Sequence, residues 1–266
     1  MKFLFPIFIL VLAVLSFNCT GIVPKHGRFT SALTDMPSLV VDADKTWLQE
    51  FNKAGTAFKD LYMDDALLVT PEGTLVRGNA EIASYYASNH FSKGAKISSN
   101  ATLYWCSNST AYYTISVIKQ TAPVVQDLLY ISVWQDDGTW KRKVEAWAIR
   151  SNDVNLEGEI EAMERKWEKV YIARDWKKTV PLYETGAVIY YGYNFFLSNT
   201  NIAMEFLKDT SGSWTLKPLA IVSASGSQVF EINVSVRNPS GAEYYNIFAW
   251  RKGSDGTWRL YLESSW

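Results

Sequence analysis

One pattern is written twice along this chain, and a duplicated pattern restricts the fold to two copies of one small unit. Val40, Ala43, Trp47, Phe51, Ala54 and Phe58 recur at spacings of three and four, which traces one face of an amphipathic helix. Leu156, Ile160, Met163, Trp167 and Val170 repeat that face. Asp137-Gly138-Thr139-Trp140 returns as Asp255-Gly256-Thr257-Trp258. Asp-Gly between alternating apolar runs specifies a hairpin, because Gly accepts the positive φ of a tight turn. Trp134 and Trp250 precede the two turns, and Glu145 and Glu263 each follow the turn Trp by five residues.

Between these landmarks the copies share an order of elements. In the first, strand residues 66–70, a turn at Pro71-Glu72-Gly73 and a helix over 78–90 precede strands near 96–106, 110–120, 125–135 and 140–149. In the second, a strand at 187–191 and a helix at about 199–208 precede strands near 213–223, 228–237, 243–251 and 257–264. Helices first and strands afterwards specify an α+β class, with N-terminal helices packed on a mainly antiparallel sheet. The expected domains are 36–150 and a more divergent 154–266, joined at Ser151 to Asn155.

The first 35 residues lie outside that plan. Lys2 followed by an apolar run from Phe3 to Phe17 reads as an export signal, and 1–19 is taken as that segment. Its end, Leu15-Ser16-Phe17-Asn18-Cys19, resembles a relaxed bacterial lipoprotein box, which implies lipidation of Cys19 and anchoring in the cell envelope, facing the periplasm or the cell surface. Ordinary cleavage nearby and an uncleaved anchor are the alternatives; the run is short for a spanning helix. Residues 20–35 form a linker. Cys106, the other cysteine, reads as a small buried strand residue.

Leu61-Tyr62-Met63-Asp64-Asp65-Ala66, then Pro71-Glu72-Gly73, then Gly78-Asn79-Ala80-Glu81-Ile82 resembles the opening of SnoaL-like and ketosteroid-isomerase-like domains of the nuclear-transport-factor-2-like superfamily. In the second copy the resemblance thins to Leu182-Tyr183 and the final hairpin. It implies two tandem cones, each a curved sheet around helices with a pocket at the wide end. It also implies sheet-to-sheet pairing, here of the two domains within one chain. That superfamily holds both enzymes and proteins that only bind or assemble, so fold does not choose between them.

A net charge of -1 gives no field to hold nucleic acid. His26 falls in the linker and His90 at a helix end, which leaves carboxylates as candidate bases. Asp64 and Asp65 suit a turn, and Asp127 and Glu231 lie on strands of undecided facing. Alternation from Trp140 puts Val144 and Ala146 on the helix side and Glu145, Lys143 and Trp147 on the outer side. Trp147, Ile149 and Tyr261 are therefore expected to pack between domains, and Glu145 and Glu263 to serve that surface rather than catalysis. Aromatics make up 15% of the chain, enough to furnish a ring-lined pocket as well as a core. Trp47, Tyr62, Tyr86, Trp105, Trp167 and Tyr183 are the candidates for lining one. His and Cys are too few for a metal cluster, and no cofactor motif is present.

These residues favour a non-catalytic envelope protein that binds a small apolar ligand or serves assembly. The alternatives are an isomerase, dehydratase or hydrolase using a first-domain carboxylate, and a purely structural pair of cones closed by their own rings.

Overall fold

The computed structural model describes residues 38–108, 111–151, 154–191, 194–196, 201 and 213–265. The segment read as an export signal, Cys19, His26 and nearly all of the helix expected at 199–208 lie outside them. The first copy runs α1 (Ser38–Lys53), β1 (Tyr62–Val69), β2 (Leu75–Arg77), α2 (Asn79–Asn89), β3 (Lys96–Asn108), β4 (Ala111–Ala122), β5 (Gln126–Asp136) and β6 (Trp140–Arg150). The second runs α3 (Glu157–Ile172), α4 (Trp176–Thr179), β7 (Tyr183–Tyr191), β8 (Asn194–Phe196), β9 (Ser213–Ser225), β10 (Gln228–Asn238), β11 (Ala242–Lys252) and β12 (Trp258–Ser265).

Each copy builds a six-stranded sheet of the same order, β2-β1-β6-β5-β4-β3 and β8-β7-β12-β11-β10-β9. All neighbours are antiparallel except β1 with β6 and β7 with β12. The class is α+β with mixed sheets. The Asp-Gly turns form as expected: Gly138 and Gly256 take φ of 102° and 74°, where a Cβ would be strained.

On α1 the buried stripe is Val40, Asp44, Trp47 and Phe51; on α3 it includes Ile160, Glu164 and Trp167. Each helix thus turns a carboxylate inward, three residues before its landmark Trp. The inner faces of the sheets close over these stripes, giving one aromatic core per copy.

The last strands depart from simple alternation. The register of β5 on β6 slips between Val133↔Val144 and Trp134↔Arg142, leaving Lys143 as an extra residue. The register of β11 on β12 slips likewise between Ala249↔Leu262 and Trp250↔Leu260, leaving Tyr261 extra. A bulge exchanges the faces of everything beyond it. Val144 and Ala146 therefore turn outward, while Glu145 and Trp147 turn inward, the reverse of the expectation from Trp140. Trp147 is not an interdomain residue: it stacks on Tyr130 at 5.9 Å and meets His90 edge-on at 5.1 Å inside the first copy. Ile149 is 48% exposed near the end of β6 and stands outside the cluster between the sheets. Tyr261 does lie in the cluster between the sheets.

That cluster joins outward side chains of both sheets, among them Ile115, Ile131 and Val144 with Phe230, Ile247 and Leu262. Polar contacts border it. Tyr113 Oη donates to the Tyr245 carbonyl at 3.1 Å, and Ser151 N to the Ala224 carbonyl at 2.8 Å. Arg251 Nη2 donates to the Pro71 carbonyl at 2.9 Å while its guanidinium lies 4.2 Å from the Tyr261 ring. Lys143, ion-paired with Asp65, points at the ring of Tyr190 across the junction.

Candidate functional site

The same hydrogen-bonded relay is built inside each cone. In the first, the Trp47 indole Nε1 donates to Tyr62 Oη at 2.8 Å, and Tyr62 Oη donates to Glu145 Oε2 at 3.1 Å. In the second, Trp167 Nε1 donates to Tyr183 Oη at 2.7 Å, which donates to Glu263 Oε2 at 2.6 Å. A further phenol completes each carboxylate, Tyr86 from α2 in the first and Tyr191 from β7 in the second. Burial, and then the adjacent Glu, raises all four phenols well above their ordinary pKa, so they stay protonated and act as donors.

Charge separates the copies. Arg142 is fully buried in the first cone, bonded to Glu145 and 3.2 Å from Asp44. Its guanidinium stacks 3.6 Å from the Trp47 ring and 4.8 Å from that of Trp134. Burial opposes its charge, but Glu145, Tyr62 and Asp44 outweigh that, and its pKa is raised. Around it Trp47, Phe51, Phe58, Tyr86, Tyr130 and Trp147 pack ring against ring. His90 joins this packing uncharged, its pKa lowered to about 4 by burial and by Lys93. The carboxylate of the first cone is satisfied by two phenols and a guanidinium.

The second cone has Leu260 where the register puts Arg142, Glu164 where α1 has Asp44, and Glu231 where β4 has Thr114. The last correspondence is shared chemistry as well: Trp134 Nε1 donates to Thr114 Oγ1 at 3.2 Å, and Trp250 Nε1 to Glu231 Oε2 at 2.7 Å. Asn233 Nδ2 adds a second donor to Glu231 at 2.5 Å. Three carboxyls thus share this interior, and the described inner residues of the second cone include no counterpart of Arg142. Burial raises both Glu164 and Glu231, and Glu231 raises Glu164 further, which favours a proton on this pair. Glu263 is pushed up to about 7 by burial and, secondarily, by Glu231, against the lowering effect of Tyr183 and Tyr191. Glu161, Arg165 and Tyr171 are the other ionisable groups of α3 that act on these residues.

Of the residues expected to line a pocket, Trp47, Tyr62 and Tyr86 meet inside the first cone and Trp167 and Tyr183 inside the second. Trp105 lies on β3, its backbone opposite Tyr113, and its side chain is outside the described residues. The expectation that Glu145 and Glu263 serve the outer surface is overturned by the bulges, since both are buried and inward. Sequence reasoning misses Arg142, Asp44 and Glu164. A readable signal exists for the last two: a carboxylate on each apolar helix stripe, three residues before the repeated Trp.

No family model matches the sequence, and no curated protein matches it. The chain is similar to ketosteroid-isomerase-like and NTF2-like proteins of known structure. A ketosteroid isomerase-like protein from Erwinia carotovora atroseptica matches at 15% identity and TM-score 0.36, covering 42% of this chain and 96% of its own. An NTF2-like protein from Cytophaga hutchinsonii matches at 16% identity and TM-score 0.37, covering 44% and 99%. One of unknown function from Shewanella oneidensis matches at 12% and 0.38, covering 42% and 98%. Among the described residues, no helix is long and apolar enough to cross a membrane, and no group of His, Cys, Asp or Glu is arranged to hold a metal ion.

Proposed function

We propose that this chain is an exported, lipid-anchored protein that binds a small molecule without transforming it. In this reading the first cone is a structural partner and the second holds the ligand. The observation that carries it is the contrast between the two inner carboxylates. Glu145 has its oxygens taken by Tyr62, Tyr86 and Arg142 amid packed rings. Glu263, in an equivalent relay, has phenols as its donors among the described residues, with Glu231 nearby. A first-domain carboxylate acting as general base is correspondingly disfavoured.

Pairing of the two outer sheet faces belongs to the same proposal: it makes the chain a pseudo-dimer in solution, held by its own tandem copies. Anchoring rests on the sequence ending at Cys19, and ligand capture on the second cone. The test is mass spectrometry under non-denaturing conditions on protein purified from its own host. The expected result is an acylated N-terminal Cys19, a single copy of the chain and a retained small molecule. A protein with an unmodified Cys19 that is released to the soluble fraction, or one that carries no small molecule, defeats the corresponding half of the reading.

A further inference from the structure

The polar contacts at the junction of the two sheets are not repeated symmetrically, although the sheets that make them are alike. The turn after β1, residues 70–74, is gripped from the second copy. Arg251 Nη2 and Gln228 Nε2 both donate to the Pro71 carbonyl, at 2.9 and 3.2 Å, while Arg251 Nη1 holds Glu184 at 3.0 Å. Gly73 lets the guanidinium approach, since a Cβ built there would lie 2.8 Å from Arg251 Nη1. In the other direction Lys143, only 4% exposed and paired with Asp65, brings its ammonium to 5.4 Å from the Tyr190 ring.

Each grip uses residue types that the other copy has replaced. Register equates Arg251, opposite Gln228 and Arg259, with Gln135, opposite Ala111 and Lys141. Ala111 carries no side-chain donor and Gln135 no charge. The turns differ as well: β7 and β8 are separated by residues 192–193, β1 and β2 by 70–74. Tyr190 lies opposite Ser264 as Val69 lies opposite Ala146, so the first copy has a valine where the second has the ring. Lys143 and Tyr261 are the equivalent bulge residues. Two first copies face to face would therefore set Lys143 against Val69 and leave the Pro71 turn to Ala111 and Gln135. Two second copies would set Tyr261 against Tyr190 and aim Arg251 at the shorter turn.

We infer that the outer face of each cone is an interaction surface specific for the other copy, accepting its unlike partner and rejecting a second copy of itself. This deepens the pairing proposed above and rests on it. The apolar cluster between the sheets attracts without choosing, because the hydrophobic effect is non-directional. Choice comes from buried cations that meet a ring or a carbonyl in one pairing and an alkyl group in the other. The consequence is a fixed stoichiometry: every second cone is held beside one first cone, and neither apolar face is left to recruit another copy.

The test replaces residues 152–155 of the full-length chain by a protease site and cuts the chain after folding. Isotopically labelled and unlabelled cut protein are unfolded together in urea, refolded, and weighed by mass spectrometry under non-denaturing conditions. Pairs of one first and one second copy should outnumber like pairs by about tenfold or more, the factor that one hydrogen bond from a charged group supplies. Arg251→Gln, which gives the second copy the residue of the first, should cut that preference by about tenfold. Lys252→Gln, which breaks a surface pair with Glu159 inside the second copy, should leave it unchanged. Like pairs in the proportion of random mixing would overturn the inference while leaving the pairing of the sheets intact. Halves that refold as single copies would overturn the pairing itself and the inference with it. If the halves do not refold, the intact chain decides through its rate of cleavage at 151–155. Arg251→Gln should raise that rate by about tenfold and Lys252→Gln should not; equal rates for the two variants would overturn the inference.

Discussion

Arg142→Leu makes the first cone carry the residue of the second at its centre, and its cost follows from the surroundings of the guanidinium. That group is fully buried, paired with Glu145 and with Asp44 at 3.2 Å, and stacked at 3.6 Å on Trp47. Removing one partner of a buried ion pair costs about 3–5 kcal/mol, chiefly because the remaining charge is stranded. Here two carboxylates, Glu145 and Asp44, lose the guanidinium that neutralises them. Such groups relieve the cost by taking up a proton. The destabilisation should therefore be largest near about pH 8 and shrink by up to about 1.4 kcal/mol per pH unit toward acid. Asp44→Asn in the same background should recover part of the loss, since it removes one stranded charge. Urea unfolding of wild type, Arg142→Leu and the double variant at about pH 5 and pH 8 reads all of this directly. A single variant within about 1 kcal/mol of wild type at the higher pH, or an equal loss at both pH values, would refute the electrostatic reasoning.

The second cone predicts the opposite pH response of the wild-type chain. Glu263 has a folded pKa of about 7 against an ordinary value of 4.5, so below 4.5 its stability contribution is complete, and it is lost as pH rises through 7. The difference amounts to roughly 3 kcal/mol, and Glu263→Gln should remove it; identical pH slopes for variant and wild type in chemical denaturation would contradict the sign. Trp147→Ala should cost about 3–5 kcal/mol by opening the first core, whereas Ile149→Ala, already half exposed, should stay within about 0.5 kcal/mol; melting curves showing the reverse would restore Trp147 to the outer face. Ile131→Ala tests the pairing of the sheets: buried between them it should cost about 2–5 kcal/mol and hasten proteolysis at 151–155, while a solvent-facing Ile131 would give a change near zero.

Much of the architecture was legible in sequence because its carriers are local. Helical spacing around Trp47 and Trp167, Asp-Gly turns and alternating strands each follow from short-range rules, and repetition checks them against one another. The facing of the last strand was not legible. A bulge at Lys143 and at Tyr261 exchanges inside for outside, and residues 142–148 are buried on both faces of β6, so hydropathy carries no trace of the exchange. That one residue of slip moved Glu145, Trp147 and Glu263 from the expected surface into the cones. Arg142 was hidden for a related reason, since a basic residue beside Lys141 and Lys143 reads as solvated until packing shows three aromatic rings around it. Asp44 and Glu164 could have been found, because a carboxylate recurring on an apolar stripe is an exception that needs a partner.

The contrast between a cone whose carboxylates are neutralised by its own guanidinium and one whose described inner residues hold no such group is tested most directly by the titration of Glu263 itself. Carboxyl carbon-13 chemical shifts followed against pH in the full-length chain should give Glu263 a midpoint of about 7. In Leu260→Arg that midpoint should fall toward or below the ordinary carboxylate range as the guanidinium enters. A wild-type midpoint already in that range, or one that Leu260→Arg leaves in place, would contradict the contrast.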